Sequence, residues 1–62
     1  ETKVYKLHDS IHVEAFTTSL GIEGIKHNVF EYEEYTAIEV TGTPLEIIRA
    51  STIYQQAIAF KL

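Results

Sequence analysis

The most distinctive residues for chemistry in this 62-residue chain form one run of interleaved carboxylates and phenols. Carboxylates steer the approach of a basic protein, and tyrosine is enriched where proteins bind one another. Neighbouring carboxylates also serve acid–base or glycosidic chemistry. A third interpretation is a solvated hairpin end, with Tyr32 packed inward and the glutamates keeping an edge strand from aggregating. We predict a partner-binding patch, and its residues are Glu31, Tyr32, Glu33, Glu34 and Tyr35.

Three histidines are the other candidate ligands. His8 and His12 are four residues apart, and together with Asp9 or Glu14 they could form a surface nitrogen/oxygen metal site. A strand-to-helix boundary is expected between the two imidazoles, so we predict instead that they and His27 are three exposed polar side chains. The chain has no cysteine, which excludes disulfides and thiolate metal sites. No metal or cofactor is predicted.

Nucleophile and phosphate motifs are absent from the sequence. Ser10 is typical of a helix cap, whereas Ser19 and Ser51 lie in predicted helices without a flanking glycine elbow or a paired histidine. Gly21 and Gly24 follow a helix rather than opening one, unlike a phosphate-binding loop. A chain of this size also struggles to enclose a pocket of several hundred Å³. We therefore expect a protein that is not an enzyme.

Charge and composition limit the classes of partner. Nine acidic residues outnumber five basic ones, giving a net charge of −4, and the basic residues form no run, so no nucleic-acid partner is predicted. The longest apolar run, 57–60, is far shorter than the ~20 residues that span a bilayer. No signal peptide opens the chain, so we expect a soluble cytoplasmic protein with no membrane partner. An acidic surface favours a protein partner with a basic patch.

A single domain over residues 1–62 is expected, because the chain has no room for a second core. Such a small domain buries only about 60% of the surface that its unfolded chain exposes. Without disulfides or a metal, a second subunit is the expected support, so we predict a homo-oligomer, in the simplest case a homodimer.

The first half of the chain predicts a strand followed by a helix. In the strand, over 3–7, Tyr5 and Leu7 point one way while Val4 and Lys6 point the other. The helix runs from Ile11 to Leu20, with a cap at Asp9-Ser10 and Gly21 as its stop. Residues 10–16 also alternate in the way of a strand, and the caps at both ends favour helix.

The second half predicts a hairpin, a second helix and a final strand. Strands over 26–33 and 35–41 meet at a turn near Glu33-Glu34, and helix 2 runs from Pro44 to about Gln55. The helix start carries a capping box: Thr43 as N-cap and Glu46 reaching back to it. Residues 57–62 alternate as a strand, but a continuation of helix 2 to the chain end stays open because no glycine or proline interrupts it.

These elements predict an α+β fold of order β-α-β-β-α-β, a four-stranded antiparallel sheet with two helices on one face. In the spatial order 4-1-3-2 the open face would carry Lys61, Lys6, Glu39 and Glu31, with opposite charges across strands. The element order over the whole chain resembles the ferredoxin-like fold and, within it, the ligand-sensing ACT-type regulatory domains. Those domains usually carry Pro-Gly near the start of helix 1, where this chain has Asp9-Ser10-Ile11.

We expect a small acidic, non-enzymatic protein that regulates or inhibits a larger protein by binding it. Two alternatives stay open. The resemblance implies an ACT-like dimer that senses a small ligand, and the small size also suits a structural subunit of an assembly joined by strand-edge pairing.

Overall fold

The computed structural model describes residues 1–59 of the chain. Its elements, in chain order, are β1 (Thr2–Leu7), α1 (Ser10–Glu23), β2 (Lys26–Glu31), β3 (Thr36–Thr41) and α2 (Pro44–Ile58). The three strands form one sheet of order β1-β3-β2, and both pairings are antiparallel. The domain is therefore α+β, with a three-stranded antiparallel sheet and two helices. The predicted fourth strand, and with it the ferredoxin-like order, is not confirmed.

Both helices pack on one face of the sheet. Tyr5 and Leu7 of β1 are buried on that face, while Val4 and Lys6 are exposed on the other, as the alternation predicts. Tyr5, Phe16 and Tyr54 form an aromatic cluster that joins β1 to both helices, with ring centroids 4.7–5.6 Å apart. The core consists of Tyr5, Leu7, Phe16, Leu20, Ile25, Ile38, Val40, Ala50, Ile53 and Ala57.

Helix α1 is longer than predicted at both ends. Gly21 lies inside the helix, and Gly24, at φ 73°, is the residue that ends it. The Gly24 N–H donates to Gly21 O at 3.1 Å and the Ile25 N–H donates to Leu20 O at 2.9 Å, which is a Schellman motif. Leu20 and Ile25 are both buried, so this ending brings two core side chains together. The N-cap is Asp9, without a side-chain cap bond, so the predicted cap at Asp9-Ser10 is right for Asp9 and wrong for Ser10, the first residue of the helix.

Helix α2 begins as predicted and ends later. Thr43 Oγ1 accepts from the Glu46 N–H at 3.2 Å, and Glu46 Oε1 accepts from the Thr43 N–H at 2.9 Å, so the capping box is confirmed. The helix continues through Ile58 and Ala59 is its C-cap, so the prediction of a strand over 57–62 is wrong at its first three residues. Ala57 belongs to the buried side of the helix with Ala50 and Ile53, at helical spacing. Residues 60–62, the rest of that prediction, lie outside the described residues.

The β2–β3 hairpin is shorter than predicted. β2 ends at Glu31, before the predicted end at Glu33, and β3 begins at Thr36, after the predicted start at Tyr35. Glu31 lies opposite Thr36, on the same side of the sheet as the helices, so its predicted place on the open face is wrong. Its strand carries Lys26, Asn28 and Phe30 on the open face instead.

The open face keeps two of the four predicted charges. Lys6 of β1 and Glu39 of β3 both lie there, opposite Ala37 and Val4 respectively, while Lys61 is outside the described residues. Within residues 1–59, neither helix has the length and apolar composition needed to cross a membrane.

Candidate functional site

The predicted binding residues lie together at one end of the sheet. Glu31 is the last residue of β2, and residues 32–35 form the connection to β3. The Tyr32 N–H donates to Tyr35 O at 2.9 Å and closes this connection. We call residues 31–35 the hairpin patch.

Two tyrosine rings form the centre of the hairpin patch. Tyr32 and Tyr35 stack with centroids 5.1 Å apart and an interplanar angle of 30°. Tyr32 is 57% exposed, so the alternative interpretation, a solvated hairpin end with Tyr32 packed inward, is wrong on that point. Stacking against the half-buried Tyr35 holds the exposed ring in place, and such pairs contribute about 0.5–1.5 kcal/mol beyond the area that they bury.

Two side chains from the end of β1 fix the hairpin patch, and the sequence interpretation missed both. Lys6 Nζ lies over the Tyr35 ring, 5.2 Å from its centroid, which is a cation–π contact. His8 Nδ1 lies 3.2 Å from Glu34 O, and the His8 ring centroid is 6.4 Å from that of Tyr35. The available signal was the strand order, because β1 beside β3 brings the end of β1 next to the β2–β3 connection.

The carboxylates of the hairpin patch are free of ion pairs within residues 1–59. Glu31, Glu33 and Glu34 are all exposed, and none lies within salt-bridge distance of a described cation. Lys6, which lies at the patch, faces a ring instead. Three carboxylates around a stacked pair of rings make an acidic surface with an aromatic centre.

Glu23, a carboxylate with an ion-pair partner, lies at the opposite end of the sheet from the hairpin patch. Arg49 NH2 donates to Glu23 Oε2 at 2.9 Å, and Arg49 Nε donates to Oε1 at 3.3 Å. These hydrogen bonds and the charge of the guanidinium lower the pKa of Glu23 from its ordinary value of 4.5 and raise that of Arg49. The pair joins the end of α1 to the first turns of α2, which is a structural use of a carboxylate.

The three histidines do not converge. His12 Nδ1 lies 3.5 Å from Asp9 Oδ2, whereas His27 Nδ1 lies 2.9 Å from Ile25 O. Only His8 is exposed, so the prediction of three exposed imidazoles is wrong for the other two, which are half-buried. Among residues 1–59, no group of three or more histidine, cysteine, aspartate or glutamate side chains is arranged to hold a metal ion.

A surface depression of about 630 Å³ lies away from the hairpin patch, where α1 ends and β2 begins, and is open to solvent. Its lining residues are Gly21, Gly24, Ile25, Lys26, His27, Asn28 and Thr41. An open depression encloses little of a small ligand, in contrast to the concave sites that bury most of one.

Comparison of the chain with protein-family models, curated proteins and solved structures finds no match. Inference about function therefore depends on the geometry of the chain itself.

Proposed function

We propose that this chain is a small acidic, non-enzymatic protein that binds a larger protein through the hairpin patch, and so regulates or inhibits it. The observation that carries the proposal is the stacked pair Tyr32–Tyr35, held by Lys6 and His8 and surrounded by carboxylates without ion pairs. A surface that is ordered before its partner arrives loses little entropy on binding.

The partner's chemistry follows from the patch. A flat aromatic centre fits an apolar or cationic side chain of the partner, because arginine and lysine stack on tyrosine rings. Exposed carboxylates around that centre attract a basic surface and hasten the encounter, an effect that salt screens. A basic, arginine-bearing protein surface is therefore the complement that we propose.

The test is an affinity capture from extract of the native host, at low and moderate salt, with mass spectrometry of the retained proteins. Three baits are compared: the parent chain, the double variant Glu33→Lys/Glu34→Lys, and a control, Glu1→Lys/Glu14→Lys. Each double variant replaces two of the nine acidic residues by lysine, so the formal net charge of both changes from −4 to 0. Only the position of the substituted charges differs between them.

We expect the parent chain and the control to retain one basic protein in stoichiometric amount, more strongly at low salt. The hairpin variant should lose it. Equal retention by both variants would remove the hairpin patch from the proposal, because net charge alone would then explain the binding.

The ferredoxin-like arrangement stays part of the proposal, and the order β1-β3-β2 supports it because three of its strands would take that order. The ACT-like ligand sensor and the structural subunit remain the alternatives. Recovery of only the chain itself in the capture would favour them over a foreign protein partner.

A further inference from the structure

The outer edge of β2 exposes backbone hydrogen-bonding groups. Among residues 1–59, only β3 pairs with β2. The Tyr32 N–H donates to Tyr35 O, so these two residues form a hydrogen-bonded pair. Hydrogen-bonded and non-hydrogen-bonded pairs alternate along an antiparallel ladder, so the backbone groups of residues 26, 28 and 30 also bond to β3. The N–H and C=O groups of residues 27, 29 and 31 therefore point away from the sheet.

This edge carries few of the features that prevent strand pairing. β2 has no proline, and its register with β3 is uninterrupted from Lys26 to Glu31. Val29 and Phe30 at its centre are each 45% exposed, so both faces of the edge offer apolar surface. A regular, apolar edge of this kind is a template for a further strand.

We propose that the β2 edge pairs with the β2 edge of a second copy, antiparallel about a two-fold axis at Val29. The two three-stranded sheets then join into one continuous sheet. The axis is perpendicular to the sheet, so both open faces lie on the same side of the joined sheet. Residues opposite each other must point to the same face, and the central residue of the ladder therefore lies opposite its own copy. Only the registers centred on Asn28 and Val29 keep five residues of each β2 in the new ladder.

Charge complementarity selects the register centred on Val29. It places His27 opposite Glu31 of the second copy at both ends of the ladder, and Lys26 opposite Tyr32. The Nδ1–H of His27 donates to Ile25 O, so it is in the protonated imidazolium that Nε2–H also donates to that carboxylate. The register centred on Asn28 places Glu31 opposite Ile25 instead and forms no pair of opposite charges.

Single cysteines test the register, because the chain has none of its own. In the proposed dimer the two copies of residue 29 form a bonded pair with Cα atoms about 5.5 Å apart, within the disulfide range of about 4.4–6.8 Å. The two copies of residue 28 are offset along the strands and about 8 Å apart. Under a glutathione redox buffer, Val29→Cys should form covalent dimer at least about tenfold faster than Asn28→Cys. Faster cross-linking of Asn28→Cys, or equal slow cross-linking of both, would overturn the proposal.

Sedimentation equilibrium tests the association itself. One strand per copy makes a small interface, so we expect a dimer whose population rises with concentration. Val29→Asp places two carboxylates opposite each other on the axis and should raise the dimer dissociation constant about tenfold or more. The control is Val4→Asp on the open face of β1, where the valine is 52% exposed. Circular dichroism confirms that each variant is folded.

A monomeric parent chain at all concentrations, or equal weakening by both aspartate variants, would contradict the pairing. The dimer ladder includes Glu31 and Tyr32 of the hairpin patch, but the pairing is tested at Val29 and the binding function at Glu33 and Glu34, which each lie in only one of the two surfaces. The failure of one proposal is therefore distinguishable from the failure of the other.

Discussion

The two ends of the sheet use carboxylates differently. At the cap end, which we define as residues 23–24 and 43–49, Glu23 is held by Arg49 and Glu46 closes the capping box of α2. At the hairpin patch, Glu33 and Glu34 make no ion pair within the described residues. A carboxylate engaged within the fold stabilises it, whereas an exposed one beside an ordered aromatic surface is available to a partner. Substitutions at the cap end should therefore change stability, and those at the hairpin patch should change binding.

The largest effect is expected from Tyr32→Ala. The side chain is 57% exposed, so its loss should cost little more than the stacking with Tyr35, about 0.5–1.5 kcal/mol, and the chain should stay folded. Affinity for the captured partner should fall about tenfold or more, as for an aromatic hot spot. The control is Leu45→Ala at the cap end, where the leucine is 79% exposed. Isothermal titration calorimetry measures both variants, and an equal loss of affinity would contradict the assignment of binding to the hairpin patch.

The next largest effects are expected on stability, from alanine substitution of two glycines near the end of α1, and they should have opposite signs. Gly24 has φ 73°, so Gly24→Ala should lower the free energy of unfolding by about 1–2 kcal/mol. Gly21 lies inside the helix with nothing within 4 Å of an added Cβ, so Gly21→Ala should raise it by about 0.5–1 kcal/mol. Urea unfolding of both variants is the measurement. The same sign for both would contradict the helix end at Gly24.

Loss of the α2 cap should cost somewhat less. Thr43→Ala removes the oxygen that accepts from the Glu46 N–H and should lower the free energy of unfolding by about 1 kcal/mol. Thr43→Ser keeps that oxygen and is the matched control. Partner affinity should be the same for both variants, because the cap end is distant from the hairpin patch. A lowered affinity for Thr43→Ala alone would break the separation between the two ends.

The smallest effect is expected from Arg49→Gln. Hydrogen bonds from Arg49, and then its charge, lower the pKa of Glu23 in the folded chain. The stability that this pair contributes is therefore fully present above the ordinary pKa of 4.5 and is lost as the pH falls through the lowered value. The pair is exposed and screened by salt, so the difference should be small.

Thermal melts of the parent chain and Arg49→Gln between pH 7 and pH 2 measure the stability that the Glu23–Arg49 pair contributes. The difference in melting temperature should close toward acid pH. A difference that widens on acidification would mean that the ion pair is not its cause.

Local patterns predicted local structure here, and tertiary packing decided the rest. The capping box at Thr43 and Glu46 depends only on neighbours in sequence, and the structure confirms it. Gly21 and Gly24 are equally good stop signals by type. Helix α1 ends at the second because Leu20 and Ile25 are then both buried, a requirement that spacing alone does not reveal.

The candidate site shows the same division. The run of glutamates and tyrosines was visible in sequence, and the structure places its members together at the hairpin. Lys6 and His8 were missed as members of the site, because their contacts with Tyr35 and Glu34 require β1 to lie beside β3. Helix α2 continued through Ala57 because that residue is buried against the core, which alternation in sequence did not reveal.

The measurement that most directly distinguishes the two ends is a map of backbone amide shifts while the captured partner is titrated into the isotope-labelled chain. Binding through the hairpin patch predicts the largest changes at residues 31–35 and at Lys6 and His8, which contact the patch. The amides of residues 23–24 and 43–49 should remain in place. The largest changes at the cap end, with residues 31–35 unaffected, would contradict the proposed function.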